Sequence, residues 1–328
     1  MMSHTHALKR FKYLAALAAL VSCIQASFAQ TYPNKPIHLV VPYAAGSTTD
    51  LQGRMIAEVL SEALKQPVIV ENRIGASGTI GSERVSRALP DGYTLVLGSA
   101  ASHLAPMILM AKPPYDSLAD FSPVSLVTKY PNAVVVSKSL NIADMRGLIQ
   151  HIRTNPGMPY GTAGPTTAGR FTAELMQSLL QIKMTMVPYN GAAAAVTDLM
   201  GGHLQLAIVD ISAVAQQLST GKFDVLSVTS KSRSPILPNI PTLEETGVND
   251  FESVAWVALF APPQTPEAIR LLLSDTIRKG LNRPELKTKI EQTGGILVVT
   301  SPKDLHNYLA TELTTWRKRA QENGIKVD

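Results

Sequence analysis

Cysteine is all but missing: the 328-residue chain has one, Cys23. A lone thiol closes no intrachain disulfide and builds no cysteine-based zinc or iron–sulfur site. Charge is sparse as well, with Asp, Glu, Lys and Arg at 17% of the chain, too little for a coiled coil. Neither sign is in large excess. The formal +5 includes Lys9, Arg10 and Lys12, in a stretch without acidic residues, and the remainder carries about +2, no footprint for nucleic-acid phosphates. No apolar run reaches the ~20 residues that span a bilayer. Catalytic signatures are lacking too: there is no G-x-S-x-G elbow, no H-E-x-x-H and no G-x-x-x-x-G-K-[ST]. What is present is a hydrophobic content of 45%, which excludes a disordered chain. The length suits two lobes of roughly 100–200 residues each.

Residues 1–29 read as a secretory signal peptide. Basic Lys9-Arg10-Phe11-Lys12 precedes an apolar run from Tyr13 to Val21, and Ser27-Phe28-Ala29 offers the small residues of a cleavage site. Leu20-Val21-Ser22-Cys23 gives a competing reading, a lipobox whose cysteine becomes the lipidated N-terminus. Both readings export the protein, and the expected location is the periplasm, with or without a lipid anchor at Cys23.

From residue 36 short β-branched runs alternate with amphipathic helical spacing. Strands are predicted at Pro36–Val41, Val68–Val70 and Tyr93–Leu97, each apolar enough to be covered on both faces. Further strands are predicted at Val134–Val136, Met158–Tyr160, Lys183–Val187, Leu204–Val209, Val225–Val228 and Val254–Phe260. Helices follow near 266–280, 284–292 and 302–322. Such alternation indicates βαβ units and largely parallel sheets. The expectation is two α/β lobes, with chain crossings near 124–132 and 248–255.

In open parallel sheets ligands collect beyond the strand carboxyl ends, where helix N-termini present unpaired N–H groups. The first such turn is Tyr43-Ala44-Ala45-Gly46-Ser47-Thr48-Thr49-Asp50. Ser47 and Asp50 have capping-box spacing, which would free N–H groups around Gly46–Thr49 for a carboxylate; any strand-to-helix turn also needs such small residues. Gly75-Ala76-Ser77-Gly78-Thr79-Ile80-Gly81 lacks the dinucleotide fingerprint, since position 77 is Ser, and reads as a loop packed beside the first turn. Gly98-Ser99-Ala100-Ala101-Ser102-His103 adds hydroxyls and an imidazole. His103 with Ser99 or Ser102 is the one conceivable Ser–His pair, and so the basis of an alternative reading as a small hydrolase.

The matching turn of the second half runs from Tyr160 through Gly164, Pro165, Thr166, Thr167, Ala168 and Gly169 to Arg170. Thr166 or Thr167 would cap the next helix. Arg170 falls in that helix's first turn, where the dipole disfavours a cation; it serves either a ligand's second carboxylate or a solvated surface. Tyr189 and Asp210 lie in further post-strand turns, with Asp210 either orienting a water or capping a helix. The two tryptophans, Trp256 and Trp316, read as core. No metal site and no cofactor is expected.

The ordered blocks resemble those of the periplasmic receptors of tripartite tricarboxylate transporters, the Bug receptor family. They include Tyr32-Pro33-x-Lys35-Pro36-Ile37, Val41-Pro42-Tyr43-Ala44-Ala45-Gly46 with Thr49-Asp50, and Pro67-Val68-x-Val70-Glu71-Asn72-Arg73. Pro90-Asp91-Gly92-Tyr93-Thr94-Leu95, Asp120-Phe121-x-Pro123, Val187-Pro188-Tyr189-x-Gly191, Asp198-Leu199-x-Gly201-Gly202 and Pro238-x-x-Pro241-Thr242 continue them. The resemblance covers 31–328 and implies a two-lobed clamshell of the type II-like periplasmic-binding-protein kind. Lobe one would comprise 31–127 and 251–328, lobe two 128–250. It implies a monomer that closes on a small organic mono- or dicarboxylate, held by the 43–50 turn through N–H groups, hydroxyls and waters, and delivers it to membrane permease subunits. A receptor feeding a sensor has the same sequence features. The chain departs from the family pattern in three places: Ser47 replaces a common glycine, Pro165, Thr166 and Arg170 alter the second-lobe turn, and Ala194 replaces a proline.

Overall fold

β1 (Ile37–Val41) leads into α1 (Thr48–Leu64), β2 (Val68–Asn72), α2 (Thr79–Ser86) and β3 (Thr94–Ser99) in the computed structural model, which describes residues 32–165, 167–249 and 251–322. The predicted signal peptide, with Cys23, lies outside those residues. Two short helices, α3 (Ala100–His103) and α4 (Ala105–Leu109), precede the long strand β4 (Ser122–Ser137). Then come α5 (Met145–Thr154), β5 (Met158–Thr162), α6 (Ala168–Leu180), β6 (Met184–Pro188), α7 (Ala192–Met200), β7 (Leu206–Asp210), α8 (Ile211–Ala215) and β8 (Phe223–Val228). After a looped stretch, β9 (Val254–Ala261), α9 (Glu267–Leu281), α10 (Pro284–Gln292), β10 (Ile296–Leu297) and α11 (Pro302–Glu322) complete the described chain.

The strands form two sheets of matching plan. In the first the order is β2-β1-β3-β9-β4, with β10 beyond β4; in the second it is β6-β5-β7-β4, with β8 beyond β4. Within each sheet most strands point one way, and a reversed strand is inserted among them: β9 in the first, where the two-residue β10 at the end is reversed as well, and β4 in the second. This is a two-lobed α/β clamshell. The inserted strand is in each case the one that arrives from the other lobe.

β1 and β3 are central and apolar, with Leu39, Val40, Leu95 and Val96 at most 1% exposed. β2 was expected to be covered on both faces in the same way. It instead forms the sheet's edge, hydrogen-bonded only to β1 along one side, and Ile69 is 44% exposed. Hydrophobic content alone does not separate an edge strand from a central one.

β4 belongs to both lobes. Pro131 stands opposite Val254 in the first sheet and Asn132 opposite Asp210 in the second, so the strand changes partners between two adjacent residues. Only Val134–Val136 was predicted, because the first half carries Pro123, Ser125, Thr128 and Pro131. Register shifts between Pro123 and Ser125 and between Leu126 and Thr128 accommodate the irregular stretch. The buried hydroxyls are bonded: Ser125 Oγ donates to the Thr300 carbonyl at 2.9 Å and Thr128 Oγ1 to Gln52 Oε1 at 2.6 Å.

The return crossing runs alongside. Thr229 Oγ1 accepts from the Asn132 N–H at 2.8 Å and donates to the Ser253 carbonyl at 2.6 Å, while Thr172 Oγ1 accepts from Asn132 Nδ2 at 3.1 Å and donates to Ser253 Oγ at 2.8 Å. All four residues are buried. These four bonds tie the two crossings to each other and to α6, and each one broken would strand a buried partner. The last helix also joins the lobes: α11 buries Leu305, Leu309, Leu313, Trp316 and Ala320, and Trp316 meets Phe171 of α6 edge-on at 4.9 Å.

Candidate ligand-binding cleft

The turn after β1 is held from beneath by one carboxylate. Asp50 is 1% exposed and accepts from the Gly46 N–H at 2.9 Å, Asn72 Nδ2 at 2.8 Å and both Nε and Nη2 of Arg54 at 2.9 and 3.2 Å. Burial pushes its carboxyl up, but these donors outweigh burial and hold it below the ordinary carboxylate value. Ser47 Oγ accepts from the Asp50 N–H at 3.2 Å, as the capping spacing predicts; the reciprocal bond reaches Gly46 rather than Ser47. Gly46 therefore has its N–H engaged. Thr48 and Thr49, the first two residues of α1, are the positions whose N–H groups find no carbonyl within the helix.

Tyr43 bridges this turn to the next strand end. Its hydroxyl shares a short hydrogen bond with Ser99 Oγ, and Gly78 lies under the ring: a Cβ there would come within 3.0 Å of Tyr43 Oη. Ser99 also caps α3, accepting from the Ala101 N–H at 3.1 Å, while Ser102 Oγ accepts from the Ser99 N–H at 3.0 Å. Burial pushes the Tyr43 phenol up, so it remains a neutral donor.

In lobe two, α6 starts hard against β7. A Cβ at Gly169 would lie 2.3 Å from the Ile208 carbonyl oxygen, so only glycine permits this approach. Thr167 Oγ1 lies 3.0 Å from Thr162 Oγ1 and donates to the Gly164 carbonyl at 2.8 Å, and makes no side-chain cap to the helix. Thr166 lies outside the described residues. Asp210 likewise makes no cap to α8, and burial pushes its carboxyl up.

A cleft of about 290 Å³ opens between these turns. Six of the residues singled out from the sequence line it: Tyr43, Ser99 and Ala100 from lobe one, and Thr167, Ala168 and Asp210 from lobe two. Four more line it without having been singled out as site residues: Ser77, Ala101, Ala255 and Trp256. The last two come from β9 just past the return crossing, and no spacing motif marks them; Trp256 was expected to be core alone and is 1% exposed, with its ring edge-on to Tyr308. No lysine, arginine or histidine lines the cleft. An anion there must be held by hydroxyls and N–H groups.

Other predicted residues lie around the cleft rather than on its walls. Ala45, Gly46 and Thr48 are exposed on the first turn, with Ser47 half-buried beside them. Thr79 is buried, its hydroxyl donating to the Ala76 carbonyl at 2.9 Å. Tyr189 turns into its own lobe and donates to Asp198 Oδ2 at 2.8 Å. Arg170 was expected to face either a second ligand carboxylate or solvent. Its Nη1 donates to the Pro165 carbonyl at 3.0 Å and its Nε lies 3.9 Å from Glu174. His103 was expected to face the cleft and is instead fully buried, stacked on Phe260 at 4.3 Å with Phe121 at 4.6 Å, in the space that Gly98 leaves open. Burial lowers its pKa to about 3, so the imidazole is neutral. Its Nδ1 lies 2.9 Å from Ser102 Oγ, and Ser102 is enclosed as well.

Against this geometry the comparisons are decisive. The family model for the tripartite tricarboxylate transporter family receptor matches residues 53–325. The chain belongs to this receptor family. It is 33% identical over 315 residues to Protein BugT of Bordetella pertussis, covering 95% of each chain. Among solved structures, the receptor is similar to an R. palustris protein with adipate (TM-score 0.76, 32% identity, 89% of this chain and 98% of that one). It is also similar to MatC from Rhodopseudomonas palustris with bound malate (TM-score 0.73, 29% identity, 88% of this chain and 99% of that one). Receptors of this family are solute-binding proteins, and no described helix is long and apolar enough to cross a membrane.

Proposed function

We propose that the receptor works in the periplasm as a monomer, binds a small organic carboxylate between its lobes and passes it to the permease subunits of a tripartite tricarboxylate transporter. The observation that carries this reading is the cleft itself: the hydroxyl-bearing Tyr43, Ser99 and Thr167 line it from both lobes, and no lysine, arginine or histidine does. Two similar structures hold adipate and malate. Residues 31–127 and 251–328 would move as one lobe and 128–250 as the other, about the paired crossings. A ligand touching both lobes favours the closed arrangement by its differential affinity for it. The enclosed Ser102–His103 pair supports a receptor over a hydrolase, because neither side chain reaches solvent.

The test is thermal unfolding in the presence of a panel of carboxylates, sugars and cations. A carboxylate at 100 times its Kd should add about 2.7 kcal/mol of stability. Stabilisation by a sugar or a cation, with every carboxylate inert, would overturn the reading.

A further inference from the structure

Ser77 and Ala101 belong to the cleft wall. The same two residues border a second space of about 100 Å³, lined by Ala76, Thr79, Ala105, Pro106, Leu109 and Met110. Its wall is carbon, and its one side-chain hydroxyl beyond the shared Ser77, that of Thr79, already donates to the Ala76 carbonyl. Ala76 and Ser77, which form the rim, have φ of 44° and 54°. Two successive non-glycine residues in the left-handed region are strained, and such strain concentrates where a backbone shapes a binding surface. Met110, at the far side, is 43% exposed, an adaptable apolar side chain presented to whatever enters.

Charge points the same way. Neither space is lined by a cation, and the Arg170 guanidinium is turned to the Pro165 carbonyl and Glu174. A second carboxylate placed in the recess would be desolvated with nothing to pair it, whereas an alkyl or aryl group would gain by leaving water.

We propose that the ligand is a monocarboxylate with an apolar body, its carboxylate in the cleft and its body in the recess past Ser77 and Ala101. This rests on the carboxylate reading of the cleft.

Calorimetric titration with matched pairs tests it: butanoate, hexanoate and benzoate, and adipate as the dianion equal in length to hexanoate. Each buried methylene should tighten binding about fourfold, so hexanoate should exceed butanoate by about fifteenfold and adipate by tenfold or more. Leu109→Ala should shrink the hexanoate-to-butanoate ratio, and Met110→Lys, at an exposed position, should shift preference toward adipate. Adipate binding as tightly as hexanoate, or affinity independent of chain length, would overturn the proposal and leave the carboxylate reading standing. Absence of binding by any carboxylate would remove both.

Discussion

Lys129 and Glu252 meet at 2.9 Å where the two chain crossings run side by side. Lys129 lies two residues before the point at which β4 changes sheets, and Glu252 immediately before Ser253 of the return crossing. Their side chains are 18% and 26% exposed, and the Lys129 ammonium sits 4.7 Å over the Tyr308 ring of α11. The pair therefore pins both connecting strands and the last helix together where the chain crosses between the sheets.

Replacing Lys129 by Met should destabilise the receptor by about 1–3 kcal/mol, less than a fully enclosed pair because water still reaches both groups. The cost arises from leaving Glu252 unpaired beside Glu312. Adding Glu252→Gln should recover part of it. Urea unfolding of the two single variants and the double variant measures this coupling, and strict additivity would refute it.

Glu312 supplies a pH dependence. Burial, and then the Glu252 charge, raise its pKa from 4.5 to about 7. The folded state therefore holds a proton that the unfolded chain has already lost, so stability falls as pH rises from about 4.5 through about 7 and levels off above. The full shift bounds the effect at roughly 3 kcal/mol. Unfolding at pH 5 and pH 8 should show this slope in the native receptor, and Glu312→Gln should flatten it.

Asp50 should behave in the opposite sense. Its depressed pKa contributes stability that is present above the unfolded value of 3.8 and is lost as pH falls through the folded value. Asp50→Ala leaves the Gly46 N–H, Asn72 and Arg54 without their acceptor, costing about 2–4 kcal/mol. Because the same bonds hold the turn after β1, carboxylate affinity should fall with stability; calorimetry of folding and of binding reads both.

Thr48→Pro separates binding from folding. Proline suits the first position of a helix, and Ser47 before it already has φ −68° and ψ 159°, the extended region that a following proline demands. The melting temperature should hold or rise slightly. If the carboxylate takes this N–H, losing a charge-assisted bond of about 1.5–3 kcal/mol should weaken binding roughly ten- to hundredfold. Unchanged affinity would show that this N–H is not used.

The alternation of strands and helices was plain in the sequence because buried parallel strands such as β1 and β3 are built on runs of Leu and Val, Leu39–Val41 and Leu95–Leu97. β4 was half hidden. Its first ten residues mix prolines and hydroxyls that become acceptable only once Gln52 and Thr300 arrive from distant parts of the chain. The cleft followed the same division. Tyr43, Ser99, Thr167 and Asp210 were legible because strand ends are where ligands gather. Arg170 and His103 were not, because their fates depend on neighbours, Pro165 and Glu174 for one and Phe260 for the other, that no local spacing reveals. Ala255 and Trp256 reach the cleft only through the crossing.

The insertion of β9 between β3 and β4 imposes an order of assembly. Every strand of lobe two lies within residues 132–228, so that sheet can pair as soon as this stretch is available. Lobe one cannot: until residues 254–261 exist, β3 and the first half of β4 have no strand between them and each presents a bare edge. A growing or emerging chain can therefore pair the strands of its middle before those of its beginning, while the core under both waits for the last helix.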